Sequence, residues 1–135
     1  MSIRIRAITF DCADARALAA FWSGVTGWNV YYDDDPEVVV APSFPNAGTS
    51  LLFIPVPEGK TAKNRLHLDL EPETMTRDEA VAAAVAAGAR VAGDHRRDDG
   101  SGWVTLLDPE GNEFCYERST GEQEPPRPRE FRITA

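Results

Sequence analysis

The chain has 135 residues, 42% of them hydrophobic and 27% charged, which predicts one globular domain whose core needs no metal or disulfide. Fourteen Lys and Arg residues against 22 Asp and Glu residues leave a net charge of −8. Since nucleic-acid binding needs clustered cations to replace phosphate counterions, we expect no DNA, RNA or anionic membrane surface as a partner.

A strand and a helix are predicted at the start of the chain. Apolar side chains alternate through residues 4–12, which is typical of a strand whose packed face carries Ile8, Phe10 and Cys12. Asp14 is a favoured helix N-cap, apolar residues then recur at helical spacing, and Gly27 is a favoured stop. We therefore predict a helix between Asp14 and Gly27.

Three short strands are predicted after this helix, over residues 30–32, 38–41 and 50–56, with turn-rich segments between them. The first of these segments contains the acidic run Asp33-Asp34-Asp35. A solvated turn is the simplest interpretation of this run. An acidic cleft that attracts a cationic ligand is the alternative that the net charge of −8 favours.

The second half of the chain repeats this order of elements. Residues 65–70 alternate like a strand, Thr76 and Glu79 have the spacing of a capping box, and an Ala-rich run then favours a helix that Gly88 ends. Further strands are predicted over residues 90–92, 103–107 and 113–117, the last two joined by a turn at 108–112.

These two halves predict an α+β fold of two βαβββ units, about residues 3–58 and 63–118, forming a curved, mostly antiparallel sheet around a cleft with the helices outside. One such unit is too small to bury both its sheet face and its helix, so we expect the two to pair within one domain, residues 1–118. The polar, proline-containing residues 119–135 are predicted to be a loosely attached tail. Within it, Phe131-Arg132-Ile133-Thr134 could add a short strand.

The cysteine count bears on the cellular compartment. Cys12 and Cys115 are too few for a disulfide framework and do not form a metal knuckle. The N-terminus has no signal-peptide stretch, and no apolar run approaches the roughly 20 residues that cross a bilayer. Two reduced thiols fit a cytoplasmic location, which we predict, although a single disulfide is also compatible with the sequence.

The two units, together with the segment Asp108-Pro109-Glu110-Gly111-Asn112-Glu113-Phe114, resemble the vicinal oxygen chelate superfamily of glyoxalase I, extradiol dioxygenases and bleomycin-resistance proteins. The segments Ile8-Thr9-Phe10-Asp11-Cys12, Phe21-Trp22 and Arg65-Leu66-His67-Leu68-Asp69-Leu70 are similar to those of its glyoxalase-like branch. The resemblance covers about residues 3–118. It implies a small-molecule ligand in a cleft and, because members commonly pair, a homodimer.

The resemblance also implies where a metal would be held. Metal-using members place ligands on the first and last strands of each unit, and these positions correspond to Ala7, to Leu51 or Leu52, to His67 and to Cys115. Alanine and leucine offer no lone pair, and one imidazole with one thiol falls short of the three or four protein ligands of a tight site. We therefore predict no metal and no cofactor.

A rearranged site for a divalent metal such as Zn, Fe or Ni is the alternative. Strand parity places His67, Asp69 and Glu71 on one side of their strand, and Glu113, Cys115 and Glu117 on one side of theirs. His67 is the best candidate for a catalytic residue, because an imidazole changes its protonation near neutral pH. The equal alternative is that His67 is retained from an ancestral metal-ligand position and takes no part in catalysis.

Other residues are predicted to line the cleft. Trp103 opens a short strand, and it either packs against neighbouring strands or forms an aromatic wall for a flat ligand. Cys115 is more typical of a small buried residue than of a nucleophile. The predicted ligand-binding residues are Thr9, Leu51, Phe53, His67, Asp69, Trp103, Glu113, Cys115 and Glu117.

The preferred function is a metal-independent small-molecule-binding protein of the glyoxalase and bleomycin-resistance type, which sequesters a flat aromatic or cationic metabolite. It is preferred because Ala7 and Leu51 leave two ligand positions without a donor atom. The alternative is an isomerase, lyase or dioxygenase-like enzyme with a rearranged divalent-metal site or with His67 as general base. An accessory domain that contacts another protein through residues 119–135 is a third hypothesis.

Overall fold

Two βαβββ units follow one another along the chain, and the computed structural model describes residues 1–122. The N-terminal unit comprises β1 (Ala7–Cys12), α1 (Ala15–Thr26), β2 (Asn29–Tyr32), β3 (Val38–Ala41) and β4 (Ser50–Pro55). The C-terminal unit comprises β5 (Leu68–Leu70), α2 (Arg77–Ala86), β6 (Arg90–Asp94), β7 (Val104–Leu107) and β8 (Glu113–Tyr116). The predicted α+β class and the repeat are confirmed.

Each unit forms an open four-stranded mixed sheet, and the strand order is the same in both. It is β1-β4-β3-β2 in the N-terminal unit and β5-β8-β7-β6 in the C-terminal unit. The first strand of each unit runs parallel to its last strand, while the other two pairs are antiparallel. The long crossover that a parallel pair needs contains the helix of each unit. As a result, β1 and β5 both lie at a sheet edge.

Both helices begin and end at the predicted residues or close to them. The Asp14 carboxylate accepts a hydrogen bond from the backbone N–H of Ala17 at 3.1 Å, and Gly27 ends α1 with a φ of 74°, in the left-handed region. Thr76 and Glu79 form the predicted capping box, because each side chain accepts from the other residue's backbone N–H. These contacts satisfy N–H groups that the start of a helix leaves without partners.

An aromatic cluster joins the two units into one core. Phe10 stacks on the fully buried Phe53 with ring centroids 4.9 Å apart. In the other unit, the ring of the buried Phe114 lies 5.0 Å from that of Trp22 and 6.0 Å from that of Phe21. Because Trp22 and Phe21 belong to α1 of the N-terminal unit, these contacts bury apolar surface of both units together.

The start of β5 differs most from the prediction in the C-terminal unit. β5 begins at Leu68 rather than at residue 65, so that His67 stands just before the strand. α2 begins at Arg77, as the predicted capping box of Thr76 requires. In the described part of the chain, neither helix has the length and apolarity that a membrane crossing requires.

The first residues of the predicted tail are attached to the C-terminal unit. Ser119 is buried, and the Glu122 carboxylate accepts hydrogen bonds from the backbone N–H groups of Ser119 at 3.0 Å and Arg77 at 2.8 Å. Residues 119–122 are therefore held more firmly at the start of α2 than their polar composition predicts. The strand predicted over residues 131–134 lies outside the described residues.

Candidate functional site

A cavity of about 720 Å³ lies between the two units, alongside the edge strands β1 and β5. The N-terminal unit contributes Ile8, Thr9 and Phe10 to its wall, and the C-terminal unit contributes His67 and Leu68. Its position follows from the topology, because the hydrogen-bond ladder of each sheet ends at these two strands. The cleft that the sequence predicts corresponds to this larger cavity only in part, because Asp69, Trp103, Cys115 and Glu117 are not among its lining residues.

Glu113, one of the predicted ligand-binding residues, is engaged by other parts of the protein. Its carboxylate pairs with Lys60 Nζ at 3.1 Å and accepts a hydrogen bond from the backbone N–H of Asn64 at 3.0 Å. Burial alone would raise the pKa of Glu113, but the hydrogen bonds outweigh it and lower the pKa below its ordinary value. Glu113 thus fixes the segment between the units to β8, and its charge is already compensated.

A smaller cavity of about 390 Å³ opens on the sheet of the C-terminal unit. The sheet register creates it, because Asp69 of β5 lies beside Cys115 of β8, which in turn lies beside Thr105 of β7. The three side chains therefore share the sheet face opposite to that of the buried Phe114. The residues that line this cavity are Lys63, His67, Asp69, Trp103, Thr105, Glu113, Cys115 and Glu117.

His67 and Cys115 share this smaller cavity, as strand parity predicts. The Nε2 of His67 lies 3.4 Å from Oδ1 of Asp69, and the Sγ of Cys115 lies 3.3 Å from the hydroxyl of Thr105. One donor atom each from His67, Asp69 and Cys115 lie within 4.8 Å of one another. The side chains of His67 and Asp69 are 41% and 60% exposed, whereas Cys115 is buried. A ligand would therefore approach the cluster from the side of His67 and Asp69.

The electrostatics of the smaller cavity favour a positive charge. Burial raises the pKa of the Cys115 thiol; the Thr105 hydroxyl opposes this effect, while the charges of Asp69 and Glu117 add to it. Burial likewise raises the pKa of Glu117, and the nearby Asp69 carboxylate acts in the same direction. The carboxylates of Asp69 and Glu117 therefore repel each other and a thiolate at Cys115, and a cation beside Asp69 and Cys115 would relieve this repulsion.

Trp103 borders the smaller cavity and also packs against the loop after β6. Its ring stacks on His95 with centroids 4.8 Å apart, and the guanidinium of Arg97 lies 5.8 Å from the ring centre. Trp103 therefore packs against neighbouring residues and also forms part of a cavity wall. Its contact with a ligand stays a prediction.

Comparison with known proteins assigns the chain to a family. A family model described as a glyoxalase-like domain matches residues 7–116, which span both units from β1 to β8. The chain belongs to the glyoxalase-like domain family. Among curated proteins, none matches the sequence significantly.

Solved structures with a similar fold include members of the vicinal oxygen chelate superfamily, whose fold this glyoxalase-like domain shares. A glyoxalase/bleomycin resistance protein/dioxygenase family enzyme from Burkholderia phytofirmans PsJN is 18% identical, covers 84% of this chain and 97% of its own, and has a TM-score of 0.66. A variant of the fosfomycin resistance protein FosX from Listeria monocytogenes, complexed with Mn(II) and 1S,2S-dihydroxypropylphosphonic acid, is 16% identical, covers 89% and 92%, and has a TM-score of 0.67. The hypothetical protein SA1046 from S. aureus is 17% identical, covers 87% and 94%, and has a TM-score of 0.65.

In this glyoxalase-like chain, two of the metal-ligand positions implied by the superfamily carry side chains that cannot bind a metal. Of the two candidates on β4, Leu52 is the one opposite Thr9, and so it shares a sheet face with Thr9 and Ala7. Ala7 and Leu52 present only hydrocarbon to that face. A divalent ion held between the units would lack two of its protein ligands there, so we assign no reaction step to such an ion.

Two residues that the sequence assigns to the ligand site lie in the core instead. Leu51 is 3% and Phe53 0% exposed, and both belong to the buried cluster around α1. They are the register partners of Ile8 and Phe10, so strand alternation turns them to the helix side of the sheet, away from the face of Thr9. Their burial contradicts the prediction that Leu51 and Phe53 contact a ligand.

The remaining predicted residues border one of the cavities or both, and their roles stay predictions. Thr9 borders the larger cavity, Asp69, Trp103, Cys115 and Glu117 border the smaller one, and His67 and Glu113 border both. The sequence reasoning missed Lys60, Asn64 and Arg65, which line the larger cavity from the segment between the units. The sequence contains a signal for Lys60 and Arg65, because together with Lys63 they form a basic cluster in an otherwise acidic chain.

Proposed function

We propose that the protein binds a small organic molecule in the larger cavity and that this binding needs no metal. The single observation that carries the proposal is the cavity itself, about 720 Å³ in volume and walled by both units. Ligand sites in proteins commonly have volumes of roughly 300 to 1,000 Å³ and combine apolar walls with a few polar groups. A homodimer and a cytoplasmic location remain predictions that accompany this proposal.

The apolar part of the wall supports a flat or partly aromatic ligand. Phe10 and Leu68 are half-buried and come from different units, and Ile8 is 37% exposed at the same cavity. A planar molecule between them would cover apolar surface of both units, which is favourable by about 25 cal/mol for each square ångström removed from water.

The charges around the larger cavity support a neutral or cationic ligand over an anionic one. Lys60 and Glu113 compensate each other in an ion pair. The other charged residues of the lining are Asp11, Glu58 and Arg65, which leave an excess of negative charge. The net charge of −8 acts in the same direction by concentrating cations near the protein.

A thermal-shift screen of the purified protein tests this proposal. The panel pairs planar aromatic ammonium compounds with matched carboxylates, each measured with and without EDTA. We expect the ammonium compounds to raise the melting temperature in a saturable way and EDTA to leave this rise unchanged. A rise that disappears on chelation would show that binding depends on a metal and would contradict the proposal.

Two matched variants locate the bound compound. Ile8→Trp places a large ring in the larger cavity, on the same sheet face as Phe10, and should weaken binding at least about tenfold by calorimetry. Ile3→Trp makes the same change at an exposed position before β1 and should leave the affinity unchanged. Equal affinities of Ile8→Trp and the unmodified protein would place the ligand elsewhere.

The second candidate function is acid–base catalysis by His67, and one contact favours it. Oδ1 of Asp69 lies 3.4 Å from Nε2 of the imidazole, in a position to orient the ring. Compounds that bind in the screen should then be incubated with the protein and analysed by mass spectrometry for conversion. His67→Gln should bind such a compound but not convert it, and no conversion by the unmodified protein would remove this candidate.

A further inference from the structure

The smaller cavity brings together a nitrogen, an oxygen and a sulfur donor that binding in the larger cavity does not require. We infer that His67, Asp69 and Cys115 bind a single zinc-type divalent cation, held within the C-terminal unit alone. Two of these ligands, His67 and Cys115, stand at positions that the superfamily implies, and Asp69 takes the place of the ligands that the superfamily draws from the other unit. The inference is independent of the proposed function, because ligand binding in the larger cavity requires no metal in the smaller cavity.

The distances suit a tetrahedral ion. The three donor atoms lie within 4.8 Å of one another, and Nε2 of His67 is 3.4 Å from Oδ1 of Asp69. Zinc bonds to nitrogen, oxygen and sulfur are about 2.0 to 2.3 Å long, which places tetrahedral ligands about 3.3 to 3.8 Å apart. The cluster therefore needs side-chain movements of only about 1 Å, which the exposed side chains of His67 and Asp69 can supply by rotation.

The backbone makes the cluster possible. Asp69 and Cys115 are direct register partners on the parallel strands β5 and β8, so their side chains leave the same sheet face side by side. His67 precedes Asp69 by two residues and reaches that face from the start of β5. The sheet register thus holds the Cys115 thiol and the Asp69 carboxylate next to each other, and the His67 imidazole lies beside them.

The donor types select zinc over magnesium or manganese. Imidazole and thiolate suit Zn²⁺, whereas Mg²⁺ and Mn²⁺ prefer an all-oxygen set. Three protein ligands leave one tetrahedral position for water or a ligand, which is the pattern of an open zinc site. On binding, the S–H bond of Cys115 breaks, its proton passes to solvent, and a sulfur–metal bond forms in its place.

The surroundings support a cation at this position. Thr105 Oγ1 lies 3.3 Å from Sγ of Cys115 and can donate to the sulfur once it is a thiolate. Glu117 lies on the same lining and adds negative charge beside Asp69. Lys63 also lines this cavity, but its ammonium group donates a hydrogen bond to the backbone carbonyl of Asn64 at 3.3 Å rather than to one of the three donor residues.

Titration with Co²⁺ tests the inference directly. The probe is added to the untagged, chelator-treated protein, because cobalt bound to a thiolate absorbs in the near-ultraviolet by charge transfer, and its visible bands distinguish a tetrahedral from an octahedral site. We expect one equivalent of Co²⁺ to produce both signals and one equivalent of Zn²⁺ to abolish them. Absence of the charge-transfer band at saturating Co²⁺ would overturn the inference.

Matched variants identify the ligands. Cys115→Ala should lose the charge-transfer band, whereas Cys12→Ala, at the other buried cysteine, should keep it. His67→Gln and Asp69→Asn should each weaken Co²⁺ binding roughly tenfold or more, with far-ultraviolet circular dichroism confirming that they fold. A band that persists in Cys115→Ala, or full affinity in both other variants, would contradict the assigned ligand set. Binding of aromatic compounds in the presence of EDTA decides the proposed function separately.

Discussion

The indole Nε1 of Trp22 donates a hydrogen bond to Oδ2 of Asp108 at 3.0 Å, and this bond connects α1 of the N-terminal unit to the turn before β8. Asp108 is 1% exposed. Its carboxylate also accepts hydrogen bonds from the side chain of Asn112 and from the backbone N–H groups of Glu110 and Asn112. Because a buried carboxylate must be satisfied by such donors, Trp22 and Asp108 form a polar connection between the units within their aromatic core.

Asp108→Asn should destabilise the protein. The substitution replaces one acceptor oxygen by an NH₂ group, which must then face a donor of Trp22 or Asn112. We expect the free energy of unfolding, measured by urea denaturation, to fall by about 1 to 3 kcal/mol. Asp98→Asn makes the same change at an exposed position and should have little effect. Equal losses in the two variants would show that the buried contacts of Asp108 are not the cause.

Glu110→Gln should weaken a second connection between the units. The Glu110 carboxylate accepts hydrogen bonds from the backbone N–H groups of Ala13 at 2.7 Å and Asp14 at 3.0 Å, just before α1. The start of a helix favours negative charge, so we expect a loss of about 1 kcal/mol in unfolding free energy at low ionic strength. The loss should shrink when urea denaturation is repeated in high salt, and a loss that is independent of salt would point to packing instead.

Local sequence signals predict much of this fold because they depend on neighbouring residues. Asp14, Gly27 and the pair Thr76 and Glu79 mark helix ends, and capping is decided within a few residues. The repeat and the alternation of strand residues likewise predict the two units and the shared cavity of His67 and Cys115. These features hardly depend on how the units pack.

The candidate site is predicted less completely because it depends on contacts between distant residues. Leu51 and Leu52 face opposite sides of β4, and only the register with β1 decides which of them reaches the cleft face. The ion pair of Glu113 with Lys60 joins residues from different segments, so no local pattern reveals it. In the same way, the turn at Asp108 is evident from sequence, but its contact with Trp22 is not.

The hydrogen bond from Asn64 and the ion pair with Lys60 should make the contribution of Glu113 to stability depend on pH. Because the pKa of Glu113 in the folded protein lies below its ordinary value of 4.5, its ionised form stabilises the fold above that pH, and this contribution is lost as the pH falls through the lower, folded-state pKa. Glu113→Gln should therefore cost about 1 to 2 kcal/mol near neutral pH, with a difference from the unmodified protein that narrows below pH 4.5. Urea denaturation across this range measures the effect, with the exposed Glu73→Gln as control. A difference that stays constant with pH would contradict the role of the charge.

Cys12 should react slowly with alkylating reagents in the folded protein. Burial, together with the charges of Glu110 and Asp11, raises the pKa of this thiol from 9.0 to about 11, which lowers its thiolate fraction roughly 100-fold near neutral pH. A time course with iodoacetamide, followed by peptide mass spectrometry, should therefore label Cys12 far more slowly than in urea, where burial is lost. Cys115 is buried to a similar extent but borders the smaller cavity, so it should label faster than Cys12. Labelling of Cys12 at the same rate in the folded and unfolded states would mean that the thiol is not enclosed beneath β4 and α1 as its burial indicates.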